Sequence, residues 1–170
     1  MKTAKSKAAS TETPKKDSGK TLVVYATKGG ATGDAASAIA NTLREKSGLQ
    51  VDLMDLKKHP KPDISQYRNI VIGGGVRAGK VYGETVEFMK QDFTGKRVAV
   101  FICSGAGGDP RHRQEVVDKY IAKRFAGNLN LVAMEAFGGC MRILGKSVFD
   151  SRDPAKVQAW AEDIGKKFVE

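Results

Sequence analysis

The chain is poor in cysteine, tryptophan and histidine, and it has no long apolar run. Across 170 residues there are two cysteines, one tryptophan and two histidines. Two thiols, Cys103 and Cys140, do not make a disulfide framework, so the fold must rest on a buried core. No apolar run reaches the roughly 18 residues of a membrane-spanning helix. The lysines near the N-terminus have no apolar stretch behind them, so no secretory signal is expected. These absences read as a cytoplasmic protein with reduced thiols. Acids are scarce too: 19 Asp and Glu stand against 29 Lys and Arg, a formal net charge of +10. Six of the lysines fall in residues 1–20, against Glu12 and Asp17 alone. A basic balance favours acidic proteins, anionic lipid, polyanionic small molecules or nucleic acid, and it also describes a merely solvated face. No nucleic-acid motif or aromatic interleaving accompanies the charge, so no nucleic-acid partner is expected.

What is present is a core. Hydrophobic residues make up 41% of the chain, enough for one globular domain. Residues 1–19 lack periodic apolar positions and read as a disordered basic tail. Residues 20–170 read as a single domain in which strand and helix alternate. Thr21–Ala26 is a continuous apolar run, as in a strand buried on both faces. Ala36, Ile39, Ala40 and Leu43 then form one helical face, with Gly48 as a stop. The segment 49–56 alternates and suits a strand near a sheet edge. Residues 69–74 and 97–104 are two further buried strands, and 129–137 is a fifth. Helical stripes fall at Tyr82, Val86, Met89 and Phe93, at Val116, Val117, Tyr120, Ile121 and Phe125, and at Val157, Trp160, Ala161, Ile164 and Phe168. Asp153 and Pro154 open the last helix as N-cap and first residue. Trp160 belongs to its core stripe. The expectation is an α/β fold with a doubly wound five-stranded parallel sheet, order 2-1-3-4-5.

In such a sheet ligands bind at the carboxyl ends of the strands, near the switch in strand order. Three loops there are glycine-rich or polar: 27–32, 73–80 and 103–113. In the first, Thr27, Gly29, Gly30 and Thr32 supply hydroxyls and close-approaching backbone before a helix N-terminus, a phosphate cradle. The Walker pattern and the G-x-G-x-x-G dinucleotide pattern are both absent. An ordinary tight turn that binds nothing has the same composition.

The loop Thr27-Lys28-Gly29-Gly30-Ala31-Thr32 resembles the flavodoxin phosphate loop, T/S-x-T-G-x-T, with Gly29 in place of a hydroxyl residue. It is more similar to the T-[KR]-x-G-x-T loop of a flavodoxin-like subgroup that includes menaquinone-dependent protoporphyrinogen dehydrogenases. Gly73 and Gly79 fit the frame of that family's second flavin loop, and Ser104 to Gly108 occupy the third. The resemblance implies FMN as cofactor. It implies contacts from Thr27, Lys28, Gly29, Gly30, Ala31 and Thr32 to the phosphate. Gly74, Gly75, Val76, Arg77, Ala78 and Gly79 would meet one edge of the ring. Ser104, Gly105, Ala106, Gly107 and Gly108 would meet the other. The aromatic stacker common in flavodoxins is absent from the third loop, and the second offers only Val76, Arg77 and, beyond it, Tyr82. Asp34, beside the phosphate, opposes the reading.

The resemblance leaves three functions open: an FMN-binding electron-transfer protein, a flavin-dependent oxidoreductase of the protoporphyrinogen dehydrogenase type acting on an anionic substrate, and a flavodoxin-fold binding module without flavin. It is thus an electron carrier or an FMN-dependent oxidoreductase in the first two cases. The partner would be a redox protein or an anionic small molecule. Lys28, Arg77, Lys80, Arg111 and Arg113 lie on or beside the loops, and positive charge there favours the anionic reduced flavin. His112 is expected to lie at the surface without a catalytic role, and Cys103 to be a small buried hydrophobe.

Overall fold

The computed structural model describes residues 19–124 and 130–170. The expected basic tail falls almost wholly outside them, as does Phe125. The apolar run at the start becomes β1 (Lys20–Ala26), with Leu22, Val23, Val24 and Ala26 fully buried. It lies between β2 (Val51–Asp55) and β3 (Tyr67–Arg77), and β5 (Arg97–Ser104) and β6 (Asn130–Gly138) follow. All neighbours on this path are parallel, in the order β2-β1-β3-β5-β6, which is the expected five-stranded order. The alternating segment is indeed an edge strand, half-exposed along most of its length.

Two helices cover each face. α1 (Ala31–Ser47) and α4 (Pro154–Val169) pack on the face that holds Val23, Val71 and Phe101. α2 (Gly83–Phe88) and α3 (Arg113–Tyr120) pack on the face that holds Leu22, Val24 and Ile70. Each core side chain of Leu, Ile or Phe size contributes about 1.5–3 kcal/mol through burial. α1 stops at Gly48, whose φ of 64° is left-handed and whose N–H donates to Leu43 O, as glycine allows. α4 starts at Asp153, whose side chain accepts from the Lys156 N–H. Trp160 packs edge-on against Phe101 and Phe137, at 6.0 and 5.6 Å between centroids. It is a core residue, as its stripe implies.

Three elements depart from the sequence reading. Residues 73–77 are not a loop: β3 continues through them to Arg77. Gly73 must lack a side chain because a Cβ would overlap the Phe101 ring, and one at Gly75 would stand 2.6 Å from the Tyr82 ring. These glycines provide room inside a sheet rather than flexibility. The strand then reverses at Ala78 and Gly79, both left-handed, into β4 (Lys80–Val81), antiparallel to β3. Second, α2 ends at Phe88, so Met89 and Phe93 are buried from a non-helical segment. Third, β6 is followed by an antiparallel hairpin, β7 (Cys140–Ile143) and β8 (Lys146–Asp150), which forms its own two-stranded sheet.

Candidate functional site

The carboxyl ends of β1, β3 and β5 open into a crevice of about 640 Å³, within the range of small-molecule sites. All three expected loops reach it. Thr27, Lys28, Gly29, Ala31 and Thr32 line it from the first, Gly75, Val76, Arg77, Ala78 and Gly79 from the second, and Ser104, Gly105 and Ala106 from the third. Four expected residues do not line it. Gly30 is the left-handed N-cap of α1, φ 90°, and its N–H is taken by Thr27 Oγ1 at 3.0 Å. Gly74 alternates to the other face of β3, where a Cβ would stand 3.1 Å from Ile102, Thr85 and Val81. Gly107 is buried, with its N–H donated to Ser104 Oγ at 3.0 Å. Gly108 backs onto Ser151.

The first loop has donors that could hold an anion. No side chain caps α1, so the N–H groups of its first turn and the positive end of its dipole lie at the crevice. A Cβ at Gly33 would crowd the Tyr25 ring at 3.2 Å and Thr27 Cγ2 at 3.4 Å. Asp34 does not oppose an anion uncompensated, because Arg152 Nη1 lies 3.0 Å from its carboxylate. Thr32 is only 2% exposed, and its side chain is hydrogen-bonded with Cys103. Burial pushes the Cys103 thiol up to about 12 despite that bond. It is the inert buried thiol the sequence suggests.

The aromatic walls come from outside the three loops. Tyr82 follows β4, and Lys28 Nζ sits 5.0 Å from its ring centroid. Burial raises its hydroxyl pKa, with Arg77 opposing the rise. Tyr120 reaches the crevice from α3, and Phe149 from β8. A Cβ at Gly105 would stand 3.3 Å from the Phe149 ring, so that ring lies on the third loop. Cys140 faces the first loop, its Sγ 3.6 Å from Gly29 O. Gly139, Met141 and Arg142 complete the hairpin's share. Tyr120 was legible only as a core residue. The hairpin residues had no signal, since their segment lacks an Asn-Gly or Asp-Gly turn.

The charge around the crevice differs from the sequence reading. Lys28, Arg77, Lys119 and Arg142 line it, against Glu115 as the one carboxylate among its lining residues. Lys80 is exposed beside it. Arg111 is paired with Asp109 at 2.7 Å, and Arg113 with Glu135, whose carboxylate also lies 3.8 Å from Lys156. Those two arginines are paired with carboxylates and do not line the crevice. His112 sits at the rim, its Nδ1 3.5 Å from Glu115. Among the described residues no group of His, Cys, Asp or Glu is placed to hold a metal ion. No helix among them is long and apolar enough to cross a membrane.

A parallel sheet in this order, with its crevice beyond β1, β3 and β5, defines the flavodoxin-like class. The chain belongs to the flavodoxin domain family, which it matches over residues 22–150. Members of that family typically bind FMN. It is similar to protoporphyrinogen IX dehydrogenase [quinone] of Escherichia coli strain K12, 33% identical over 75 residues. That stretch covers 44% of this chain and 41% of the relative, well under two thirds of the relative's length. The fold is similar to oxidised Flavodoxin 2 from Bacillus cereus, with a TM-score of 0.61 and 20% identity, covering 88% of this chain and 97% of that one. It is also similar to a flavoprotein from Lactobacillus acidophilus solved in complex with FMN, with a TM-score of 0.50 and 18% identity. There the likeness covers 69% of this chain and 93% of the other.

Proposed function

We propose that residues 20–170 form a single FMN-binding domain that transfers electrons in the cytoplasm. The observation that carries this reading is the uncapped N-terminus of α1, open to the crevice with Thr27 and Thr32 beside it. The donors there suit one terminal phosphate monoester: backbone N–H groups, hydroxyls and Lys28. The remaining crevice suits a planar apolar ring. Gly75 to Gly79 would meet one edge of it, Ser104 to Ala106 the other, and Tyr82, Tyr120 and Phe149 provide flat apolar surface. When bound, FMN supplies one- or two-electron chemistry. The chain's own contribution is orientation, partial exclusion of water and a positive field. Lys28, Arg77, Lys119 and Arg142 favour added negative charge in the crevice. The left-handed Ala78-Gly79 turn presents backbone to the ring edge without a large side chain in the way.

The match to a protoporphyrinogen dehydrogenase favours a second reading, a flavin-dependent oxidoreductase for an anionic substrate. The same cations would then meet substrate carboxylates at the crevice mouth.

Titration of the purified chain with FMN tests the cofactor reading. Thr32→Val removes a hydroxyl while preserving shape, and FMN binding is expected to weaken by about 1–3 kcal/mol. Unchanged affinity would move the phosphate away from this loop.

A further inference from the structure

The β7–β8 hairpin breaks the rule that the rest of the chain obeys. Six large apolar residues are exposed among the described residues, and five of them are on this hairpin: Met141, Ile143, Leu144, Val148 and Phe149. Leu144, at the tip, is 98% exposed. The tip is a two-residue turn, Leu144-Gly145, with both residues left-handed at φ 50° and 79°. That turn prefers Asn, Asp or Gly at its first position, and leucine there is strained. The sequence therefore places a bulky apolar side chain where both solvent and backbone disfavour it. The hairpin forms its own two-stranded sheet, held at its base by Cys140 against the first loop and Phe149 against the third, with its tip left uncovered. Strain and apolar exposure at the tip both point to a covering surface.

Charge identifies that surface. From Cys140 to Phe149 there is no acid, and Arg142 and Lys146 are exposed among the apolar residues. A second copy of this chain, itself at +10, would bring like charges against them. An apolar tip with cations set back from it matches a bilayer whose acyl layer lies beneath anionic headgroups. We infer that the β7–β8 hairpin docks this protein on an anionic lipid bilayer, with Ile143 and Leu144 entering the acyl boundary and Arg142 and Lys146 meeting headgroup phosphates. The chain then lies on the bilayer and does not span it. Met141, Arg142 and Phe149 also line the crevice, so docking brings the crevice mouth to the lipid surface. A molecule dissolved in the bilayer would reach the site without crossing water.

Co-sedimentation of the full chain with vesicles tests this. One vesicle set is phosphatidylcholine alone, and the other is phosphatidylcholine mixed with phosphatidylglycerol. Binding is expected on the mixed vesicles, falling as salt is raised. Leu144→Asn suits the left-handed turn and leaves the core untouched, so its melting temperature should not fall. Its vesicle affinity should drop by about tenfold. Arg142→Gln with Lys146→Gln should lose about tenfold or more on mixed vesicles only. The inference is overturned if the unaltered chain does not sediment, or if Leu144→Asn binds as well as it does. A concentration-dependent dimer abolished by Leu144→Asn, without vesicle binding, would assign the hairpin to a second copy instead. None of these outcomes depends on FMN.

Discussion

Two hairpins flank the crevice, and they share one backbone design. Each turns through two left-handed residues, Ala78-Gly79 in the first and Leu144-Gly145 in the second. Their side chains differ. The first hairpin extends the main sheet, carries a small residue at its tip and sets Arg77 opposite Lys80. The second stands outside the sheet, carries leucine at its tip and exposes five large apolar residues. An identical turn thus serves opposite ends. A small residue on a strand rooted in the core leaves the backbone open to close approach, whereas a large one at the tip of a separate ribbon is left exposed.

The largest effect should come from attacking the root of the first hairpin. Gly73→Val would push a side chain into Phe101, which is fully buried and cannot swing aside. A loss of about 3 kcal/mol is expected in denaturant unfolding, and a variant as stable as the parent would show that β3 has slack. The second hairpin has no comparable root in the core, and a contrast in thiol chemistry measures this. Cys103, at the end of β5, is buried with its pKa at about 12, while Cys140, at the start of β7, is only partly buried. Alkylation at mildly alkaline pH should label Cys140 and leave Cys103 at least about 100-fold slower. Peptide mass spectrometry reads the ratio, and equal labelling would mean that the end of β5 opens readily.

The central strands β1, β3 and β5 were readable because strands buried on both faces are continuously apolar, as Leu22 to Val24 and Val98 to Ile102 are, whereas the edge strand β2 was readable from its alternation. The helical stripes of α1 and α4 held for the same reason: burial and periodicity agree there. Agreement failed where tertiary contacts, not local pattern, decide. Phe93 sits at helical spacing from Met89 yet is buried after α2 has ended. The glycines at 73–75 looked like a loop because only the packed structure reveals Phe101 and Tyr82 against them. The hairpin escaped because exposed apolar residues look the same as core residues in sequence. Of the crevice, the lining contributed by the first loop was legible from residue types alone. Tyr120 and Phe149 were not, because they arrive from α3 and β8.

The smallest effect lies at the base of the second hairpin. Asp150 is held down to about 2, chiefly by its hydrogen bonds from the Arg152 side chain and backbone. A depressed carboxyl stabilises the fold above the ordinary carboxylate range, and that contribution fades as pH falls through about 2. The pair is exposed, so the effect should be slight and sensitive to salt. NMR titration of the Asp150 carboxyl should give a midpoint near 2. A midpoint in the ordinary range would mean that Arg152 does not hold the hairpin base.

In the proposed function, the N-terminus of α1 holds a phosphate monoester attached to a flavin. Parallel calorimetric titrations with FMN and riboflavin isolate that contact, since the two differ only by the phosphate. FMN is expected to bind at least about 100-fold more tightly, roughly the worth of two charge-assisted hydrogen bonds. Equal affinity, or no binding of either, would mean that α1 does not hold the phosphate of a flavin.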